Sequence, residues 1–258
     1  VWLNPIRIFP KGVCELKAMK ILNIGQIKLE RLPASIGNLK NLIELRASFN
    51  SLSKLPEEFG KLQSLERLYL GGNDFKIFPE PICNLKNLRE LVIGQNELVK
   101  LPEGIKNLTK LRFLRILETN LEEIPENIKS LEKLVEIRLV HNKISKLPES
   151  FGALRNLRKL DLDQNKFSDL PQTIGGLRSL KKLSVNDTKL TSLPETIGEM
   201  ENLEILLVSN SKLTSFPRNI GKLGKLQSIY AENNKIRTLP EELGEMRGLI
   251  SLMLNNNQ

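Results

Sequence analysis

Few side chains in this sequence have the types and the spacing that catalysis or metal binding needs. His141 is the single histidine, and Cys14 and Cys83 are the two cysteines, far apart in the chain. A zinc site needs three or four nitrogen, sulfur or oxygen ligands that converge on one point. The carboxylates of Asp161 and Asp163 are expected on an open surface, where nothing would shift their pKa values. We therefore predict no catalytic residue, no metal site and no cofactor, and we do not expect an enzyme.

Proline recurs in this sequence at a fixed interval of 23 residues. The series is Pro10, Pro33, Pro56, Pro79, Pro102, Pro125, Pro148, Pro171, Pro194, Pro217 and Pro240. Two apolar series keep the same frame, one running through Ile36 and Phe59 and the other through Leu39 and Leu62. Self-similarity at this length is typical of a stacked repeat protein.

The repeat unit reads L-P-x-x-I-G-x-L-x-x-L-x-x-L-x-L-x-x-N-x-L-x-x, as in the stretch from Leu147 to Phe167. This unit resembles the 23-residue leucine-rich repeat of the Ras-group intracellular proteins and of many bacterial cytosolic, surface or secreted proteins. The resemblance covers essentially the whole chain. It implies a protein-binding scaffold that lies in the cytoplasm or at a bacterial surface, or is secreted, and it names no partner.

The residues of one repeat favour the same architecture. Leu160 and Leu162 alternate with Lys159 and Asp161, which is the period-two pattern of a strand with one buried and one solvated face. One such strand in every repeat predicts a sheet of parallel neighbours. Parallel strands need a connection across the far side of the sheet, so each repeat must also contain a return segment.

The segment that begins at Pro148 is the expected return path. Proline suits the first position of a helix, Glu149 suits the positive end of a helix dipole, and Gly152 permits a tight turn. We predict a short helix or 3₁₀ turn and a right-handed crossover. The predicted fold class is α/β, a right-handed parallel solenoid shaped like an arc. It has about eleven repeats in a single domain over residues 1–258.

Both ends of the sequence cut the repeat frame. Val1 and Asn4 fall at strand and asparagine positions, and Leu252, Leu254 and Asn257 form a last strand without a return path. Terminal repeats normally need a polar capping element, and neither end shows one. We expect that caps are missing or that the uncapped ends support end-to-end self-association.

An asparagine follows the strand in most repeats. A buried amide there can bond to the backbone of the neighbouring turns on both sides, where the strand has lost its ladder partners. The series consists of Asn50, Asn73, Asn96, Asn142, Asn165, Asn234 and Asn257. Ile27, Thr119, Thr188 and Ser211 interrupt it, and we expect local departures from the repeat pattern at those turns.

The two cysteines occupy one frame position, held elsewhere by Gly60 or Gly152, and lie three repeats apart. Strands about 4.8 Å apart give a separation of roughly 14 Å, beyond the reach of a disulfide. We predict two free, half-buried thiols. Cysteine clusters that cap animal extracellular leucine-rich repeats are absent, which favours the cytosol or a bacterial setting. No apolar run approaches the length of a membrane span.

The net charge of +9 has a local origin in the predicted fold. A lysine follows the asparagine position in five successive repeats, at Lys143, Lys166, Lys189, Lys212 and Lys235. These lysines should line one rim at intervals of roughly 5 Å, where they could bind a phosphate backbone or simply keep the protein in solution. A second ladder, Glu57, Glu80, Glu103, Glu126, Glu149, Glu195 and Glu241, is better explained by helix N-termini.

The solvated face of the predicted sheet carries unexpected apolar residues in its middle repeats. Aromatic and arginine side chains on a rigid surface are the composition of interface hot spots, and a contiguous apolar patch usually has a partner. The predicted partner-binding residues are Arg67, Tyr69, Val92, Phe113, Arg115, Leu117, Arg138, Val140 and His141. A weaker cluster, Ile205, Leu207, Tyr230 and Met253, is better explained by packing between neighbouring strands.

The leading functional hypothesis is a scaffold that binds a protein partner on its concave sheet face. One alternative is a regulatory arm of a larger multidomain signalling enzyme, such as a GTPase, kinase or ligase. The other is an anion or nucleic-acid binder that uses the lysine rim, although we consider nucleic acid the weaker candidate. No small-molecule substrate and no transmembrane segment are expected.

Overall fold

The computed structural model describes residues 6–258. Val1 and Asn4, which the repeat frame assigns to a strand, lie outside the described residues. The chain divides into two compact units. We call them the N-terminal unit, which ends at Leu121, and the C-terminal unit, Glu122–Gln258.

The N-terminal unit alternates short parallel strands with 3₁₀ turns. Its strands are β1 (Ile21–Asn23), β2 (Glu44–Arg46), β3 (Arg67–Tyr69), β4 (Glu90–Val92) and β5 (Phe113–Arg115). Its turns are η1 (Lys11–Glu15), η2 (Ala34–Asn38), η3 (Glu57–Lys61), η4 (Glu80–Asn84) and η5 (Glu103–Asn107). Each strand pairs with the next one along the chain at an offset of one repeat.

The C-terminal unit repeats this plan. Its strands are β6 (Glu136–Arg138), β7 (Lys159–Asp161), β8 (Lys182–Ser184), β9 (Ile205–Leu207), β10 (Ser228–Tyr230) and β11 (Ser251–Met253). Its turns are η6 (Glu126–Ser130), η7 (Glu149–Ala153), η8 (Gln172–Gly176), η9 (Glu195–Glu199), η10 (Arg218–Lys222) and η11 (Glu241–Glu245). Here too, each strand pairs in parallel with its successor. The prediction of a leucine-rich-repeat solenoid with one parallel strand per repeat is confirmed.

The return segments are 3₁₀ turns of five residues, one of the two forms that the sequence predicts. Their prolines lie one residue earlier than predicted: Pro148 is the N-cap of η7 and not its first helical residue. Its carbonyl oxygen accepts the N–H of Phe151 at 3.0 Å, which closes the first turn. Because the proline nitrogen has no hydrogen, this cap leaves no unpaired donor behind it.

The core of each unit lies between the strands and the turns. The middle residue of each strand points into it, as do the apolar residues that follow the strand; Leu68 and Leu70 are fully buried in the N-terminal unit. Burying a leucine contributes about 2 kcal/mol. Phe59 and Phe75, or Phe151 and Phe167 in the C-terminal unit, are the largest fully buried side chains. Each repeat buries these residues against its neighbours, which explains why copies must stack.

The asparagines are buried as predicted except Asn50 and Asn257, which are half-buried, and their bonds run in one direction. Oδ1 of Asn73 accepts the N–H of Leu52 at 3.0 Å, and Nδ2 donates to the carbonyl oxygens of Ala47 and Leu70, each at 3.0 Å. The first two partners belong to the preceding repeat and the third to the repeat of Asn73 itself. The prediction of bonds to the turns on both sides was therefore wrong. The amide bonds its own turn and the turn before it.

The interruptions of the asparagine series are local departures, as expected. The hydroxyl of Thr188 donates to the carbonyl oxygen of Val185 at 3.0 Å and pairs with the hydroxyl of Ser211, also at 3.0 Å. The Thr188 hydroxyl therefore bonds the Val185 carbonyl oxygen of its own repeat, as the asparagine amide does in other repeats. The N–H of Ile27, where the sequence offers no polar side chain, donates to Oδ1 of Asn50 in the next repeat at 3.1 Å.

In the repeats from Gln26 to Asn256, the residue just before the asparagine position has a left-handed backbone. It is a glycine only at Gly72, with φ of 69°. The others are Gln26, Phe49, Gln95, Glu118, His141, Gln164, Asp187, Asn210, Asn233 and Asn256. Most of these are polar side chains that lie at the exposed edge of the strand. Phe49 is the exception, because a bulky aromatic rarely adopts this conformation.

Candidate binding surface on the sheet

The six predicted partner-binding residues of the N-terminal unit lie on one surface. The strand residues on either side of the buried middle residue point to solvent, and we call this side of the N-terminal unit the sheet face. Arg67 and Phe113 flank Glu90 in one cross-strand row, and Tyr69 and Arg115 flank Val92 in the next. Leu117 is half-buried two residues after β5. The structure thus brings these six residues together.

Two glutamates hold the arginines of the sheet face in place. The side chain of Glu44 is only 6% exposed, and it pairs with Nε of Arg46 at 2.5 Å and Nε of Arg67 at 2.6 Å. The hydrogen bond from Arg67 is the largest of the effects that lower the pKa of Glu44. Glu90 pairs with Nη1 of Arg115 at 2.6 Å. The guanidinium groups are therefore fixed, and much of their charge is already compensated.

The aromatic rings of the sheet face lie beside these guanidinium groups. The guanidinium carbon of Arg46 is 5.5 Å from the ring centre of Tyr69, within the range of a cation–π contact. Those of Arg112 and Arg115 are 5.7 and 5.6 Å from the ring centre of Phe113. Both rings are half-buried. They form a rigid platform whose outer surfaces remain open to a partner.

The tyrosine hydroxyl is part of the same network. The hydroxyl of Tyr69 donates to Oε2 of Glu90 at 3.0 Å. Burial raises the pKa of Tyr69, and the hydrogen bond to the Glu90 carboxylate raises it further. The phenol is therefore a neutral donor at physiological pH and orients the ring.

The other three predicted residues lie in the C-terminal unit. Nε of Arg138 in β6 pairs with Oδ2 of Asp161 at 3.2 Å. Val140 is half-buried, and the exposed His141 has a left-handed backbone, with Nδ1 2.8 Å from Oε1 of Gln164. The arginine again has a carboxylate partner, so its charge is not free.

Asp161 was expected on an open surface with an ordinary pKa, and this was wrong. The residue is only 8% exposed, and its Oδ1 has no hydrogen-bond partner in the described part of the chain. Burial raises the pKa of Asp161 and the nearby charge of Asp163 adds to this, whereas Arg138 opposes it. The carboxylate lies on β7, paired with Arg138 of β6, and Ser184 of β8 is its neighbour on the other side.

Phe49 is not among the predicted partner-binding residues, yet its exposure and its backbone are unusual in the structure. Its side chain is 55% exposed and its φ is 58°. The ring lies over Gly72, where an added Cβ would be 2.6 Å from Cδ1 of Phe49. The available signal was its frame position, because the equivalent residues of the other repeats from Gln26 to Asn256 are polar or glycine.

The predicted lysine rim is present in the C-terminal unit. All five lysines are exposed. The backbone N–H groups of Lys166, Lys189, Lys212 and Lys235 each bond to the preceding repeat, which keeps their Cα atoms in one row. The glutamate ladder has a structural role in two places. Glu126 accepts the N–H of Ser150, and Glu195 accepts that of Asn219, both in the following turn.

The thiols offer no reactive group. Cys14 and Cys83 are free, as predicted, but both are buried and not half-buried. Burial and the nearby Glu80 raise the pKa of the Cys83 thiol to about 12, which leaves almost no nucleophilic thiolate at neutral pH. Among residues 6–258, no three His, Cys, Asp or Glu side chains converge where a metal ion could be held. No helix in that range has the length and apolar character needed to cross a bilayer.

Comparison with known proteins identifies the architecture. A family model for a leucine-rich repeat region matches residues 3–94, 50–138 and 102–185, and a second model, for a leucine rich repeat, matches 178–236. No curated protein matches the sequence. A leucine-rich-repeat protein of Leptospira interrogans is 30% identical, with a TM-score of 0.65, over 97% of this chain and 76% of that one.

Two further solved structures are also similar. The plant peptide hormone receptor RGFR1, solved with RGF2, is 30% identical, with a TM-score of 0.77, over 97% of this chain and 46% of the receptor. PEPR1, solved with AtPEP1, is 28% identical, with a TM-score of 0.83, over 97% of this chain and 37% of that one. The chain thus spans less than half the length of either of these two proteins. With family models that together match most of its residues, the chain belongs to the leucine-rich-repeat family.

Proposed function

We propose that the chain recognises a protein partner on the sheet face of the N-terminal unit. The observation that carries this proposal is the fixed platform of Tyr69 and Phe113, each beside an arginine that a buried or half-buried glutamate holds. Rigid aromatic and arginine side chains lose little conformational entropy on binding and dominate interface energies. Two proteins similar to this chain, the plant peptide hormone receptor RGFR1 and PEPR1, were solved with RGF2 and AtPEP1, which supports a role in recognition.

Val92 and Leu117 extend the apolar area of this platform, and Arg67 lies at its edge, beside Glu90. In the C-terminal unit, Arg138, Val140 and His141 remain proposed partner-binding residues on the same kind of surface. The scaffold supplies binding and no chemistry, which fits the buried thiols and the buried Asp161 described above.

The test is a double variant, Phe113→Ala with Arg115→Gln. We expect partner capture from the source cell to fall at least tenfold, since each hot-spot truncation costs about 2 kcal/mol. The fold should survive because both side chains are half-exposed. Capture should be followed by identification of the bound protein and calorimetry with that protein purified.

The matched control is Ile205→Ala with Leu207→Ala. These residues occupy the same two frame positions in the weaker cluster of the C-terminal unit, where Leu207, Tyr230 and Met253 are direct cross-strand neighbours. The control should bind the identified partner with unchanged affinity. Equal affinity of the test variant and the parent protein would contradict the proposal.

Binding of a polyanion is the second candidate, and the row of five exposed lysines favours it. Each contact with a phosphate makes binding weaker as salt increases. If the rim is a binding site, retention on heparin or DNA should fall steeply with salt. Replacing Lys166, Lys189 and Lys212 with glutamine should reduce that dependence by about three counterions. Replacement of Lys40, Lys61 and Lys86, which lie elsewhere, is the control of equal charge.

A regulatory arm of a larger signalling enzyme remains the third possibility for the biological role. It is compatible with the proposed recognition surface, which would then direct an activity located outside these residues. A longer reading frame that encodes a catalytic domain would distinguish this role from that of a free-standing scaffold.

A further inference from the structure

A carboxylate of the C-terminal unit reveals what one frame position of the repeat can bind. Oδ1 of Asp163 accepts the backbone N–H of Asn186, one repeat later, at 2.8 Å and the hydroxyl of Ser184 at 2.7 Å. Oδ2 accepts Nδ2 of Asn186 at 3.2 Å. The backbone N–H just after the strand therefore points to the solvated side of the sheet, where the preceding repeat can supply an acceptor.

The N-terminal unit has the same donors without this acceptor. Gly25, Arg46 and Ser48 occupy the frame positions of Asp163, Ser184 and Asn186. A Cβ placed on Gly25 would lie 3.9 Å from the nitrogen of Ser48, so a side chain there would reach this N–H. Gly25 has none, and the N–H of Ser48 has no hydrogen-bond acceptor in the described part of the chain.

A depression of about 620 Å³ lies at this place, between the first three repeats of the N-terminal unit. Arg46, Phe49 and Tyr69 line it together with Asn23 and Gln26. The side chain of Arg46 is 56% exposed at the depression.

The charge of this region favours an anion. Glu44 is the carboxylate that pairs with Arg46, and it is shared with Arg67, so two guanidinium groups face one carboxylate. A free N–H, an exposed guanidinium and two aromatic rings thus surround one opening, and the internal precedent of Asp163 shows which chemical group fits the donors.

We propose that this depression binds the carboxylate of an aspartate or glutamate side chain of the protein partner. One carboxylate oxygen accepts the N–H of Ser48 and the other pairs with Arg46, while Phe49 and Tyr69 pack on the neighbouring apolar residue of the partner. This inference rests on the proposed function, because it names the chemistry of one anchor of the recognised protein.

The test uses the whole chain and two blocked peptides. Acetyl-Gly-Asp-Phe-Gly-amide is the probe, and acetyl-Gly-Asn-Phe-Gly-amide is its uncharged isostere. In ¹⁵N-correlated spectra, the Ser48 amide proton should shift downfield and saturate with the aspartate peptide. The asparagine peptide should bind at least tenfold more weakly. An equal response to both peptides, or none at Ser48, would overturn the proposal.

Two variants separate the site from nonspecific attraction. Arg46→Gln should weaken the aspartate peptide at least tenfold, while Glu44 keeps Arg67 as its partner. Arg89→Gln is the control, because Arg89 is 52% exposed and pairs with Glu66 away from the depression. Its affinity should be unchanged. A loss of binding in Arg89→Gln as large as that in Arg46→Gln would also count against the site.

Gly25→Asp tests the precedent directly by building the acceptor into the chain. The new carboxylate should take the N–H of Ser48 and abolish peptide binding. The new Cβ would lie 3.1 Å from the Ser48 oxygen, so that oxygen must move slightly. If this variant does not fold, Arg46→Gln still decides. Neither readout depends on Phe113 or on partner capture, so failure of this site and failure of the proposed function can be told apart.

Discussion

Replacing Asn73 with alanine is expected to lower the free energy of unfolding by about 3 kcal/mol. The side-chain amide makes three bonds of 3.0 Å: it accepts from Leu52 and donates to Ala47 and Leu70. Alanine would leave the N–H of Leu52 without an acceptor in a site that is almost closed to water, which is costly. The carbonyl oxygens of Ala47 and Leu70 would each lose one of two bonds, since they also accept Nδ2 of Asn50 and of Asn96. Chemical denaturation followed by circular dichroism measures the loss.

Two further variants test the cause. Asn87→Ala removes a half-buried asparagine whose Nδ2 makes a solvent-exposed hydrogen bond to the Gln63 carbonyl oxygen, and it should cost less than about 1 kcal/mol. Asn73→Thr introduces the residue that the chain uses at Thr119 and Thr188, and it should recover part of the loss. A cost at Asn73 no greater than at Asn87 would show that the buried amide does not hold the turns together.

Gly152→Ala is expected to destabilise the C-terminal unit by about 2 kcal/mol. A Cβ at this position in η7 would lie 2.0 Å from the carbonyl oxygen of Thr173 in η8, a backbone atom that cannot rotate away. The two turns would have to separate, and the contacts between them would be lost. The same denaturation measurement applies.

Gly244→Ala is the matched control, because Gly244 occupies the frame position of Gly152 in η11. A Cβ there would meet nothing within 4 Å, and its φ is outside the left-handed region. This variant should be neutral or stabilising by up to about 1 kcal/mol, since alanine reduces the entropy of the unfolded chain. Equal losses in both variants would place the cause in backbone conformation and not in the spacing of the turns.

The repeat frame allowed much of the fold to be predicted, because period-two leucines and periodic prolines each have one simple structural solution. Strand positions such as Leu160, and the connecting turn after Pro148, lie where the sequence indicates. The repeat frame did not predict that each asparagine side chain bonds to the preceding repeat and not to the following one. An amide has donors and an acceptor, and composition alone does not determine which neighbouring turn lies within its reach.

The six surface residues from Arg67 to Leu117 could be placed on one face from their strand positions. The ion pairs that hold these residues could not be predicted, because the strand position of Glu44 indicates a carboxylate exposed to solvent. Its burial between Arg46 and Arg67 depends on the separation of adjacent strands. Phe49 was missed although its apolar type is unusual at this frame position, because that type alone predicts neither the left-handed backbone nor the contact with Gly72.

The one-way bonds of the asparagines give the chain a polarity that its leucines do not have. A repeat depends on its successor to bring the amide that completes its turn, as Leu52 depends on Asn73 and Ile144 on Asn165. Modular rearrangements of such a gene should therefore be constrained from one side. A repeat can be duplicated or deleted if the repeat that then follows carries the asparagine. If the following repeat lacks the asparagine, the turn of the repeat before it loses its hydrogen-bond acceptor.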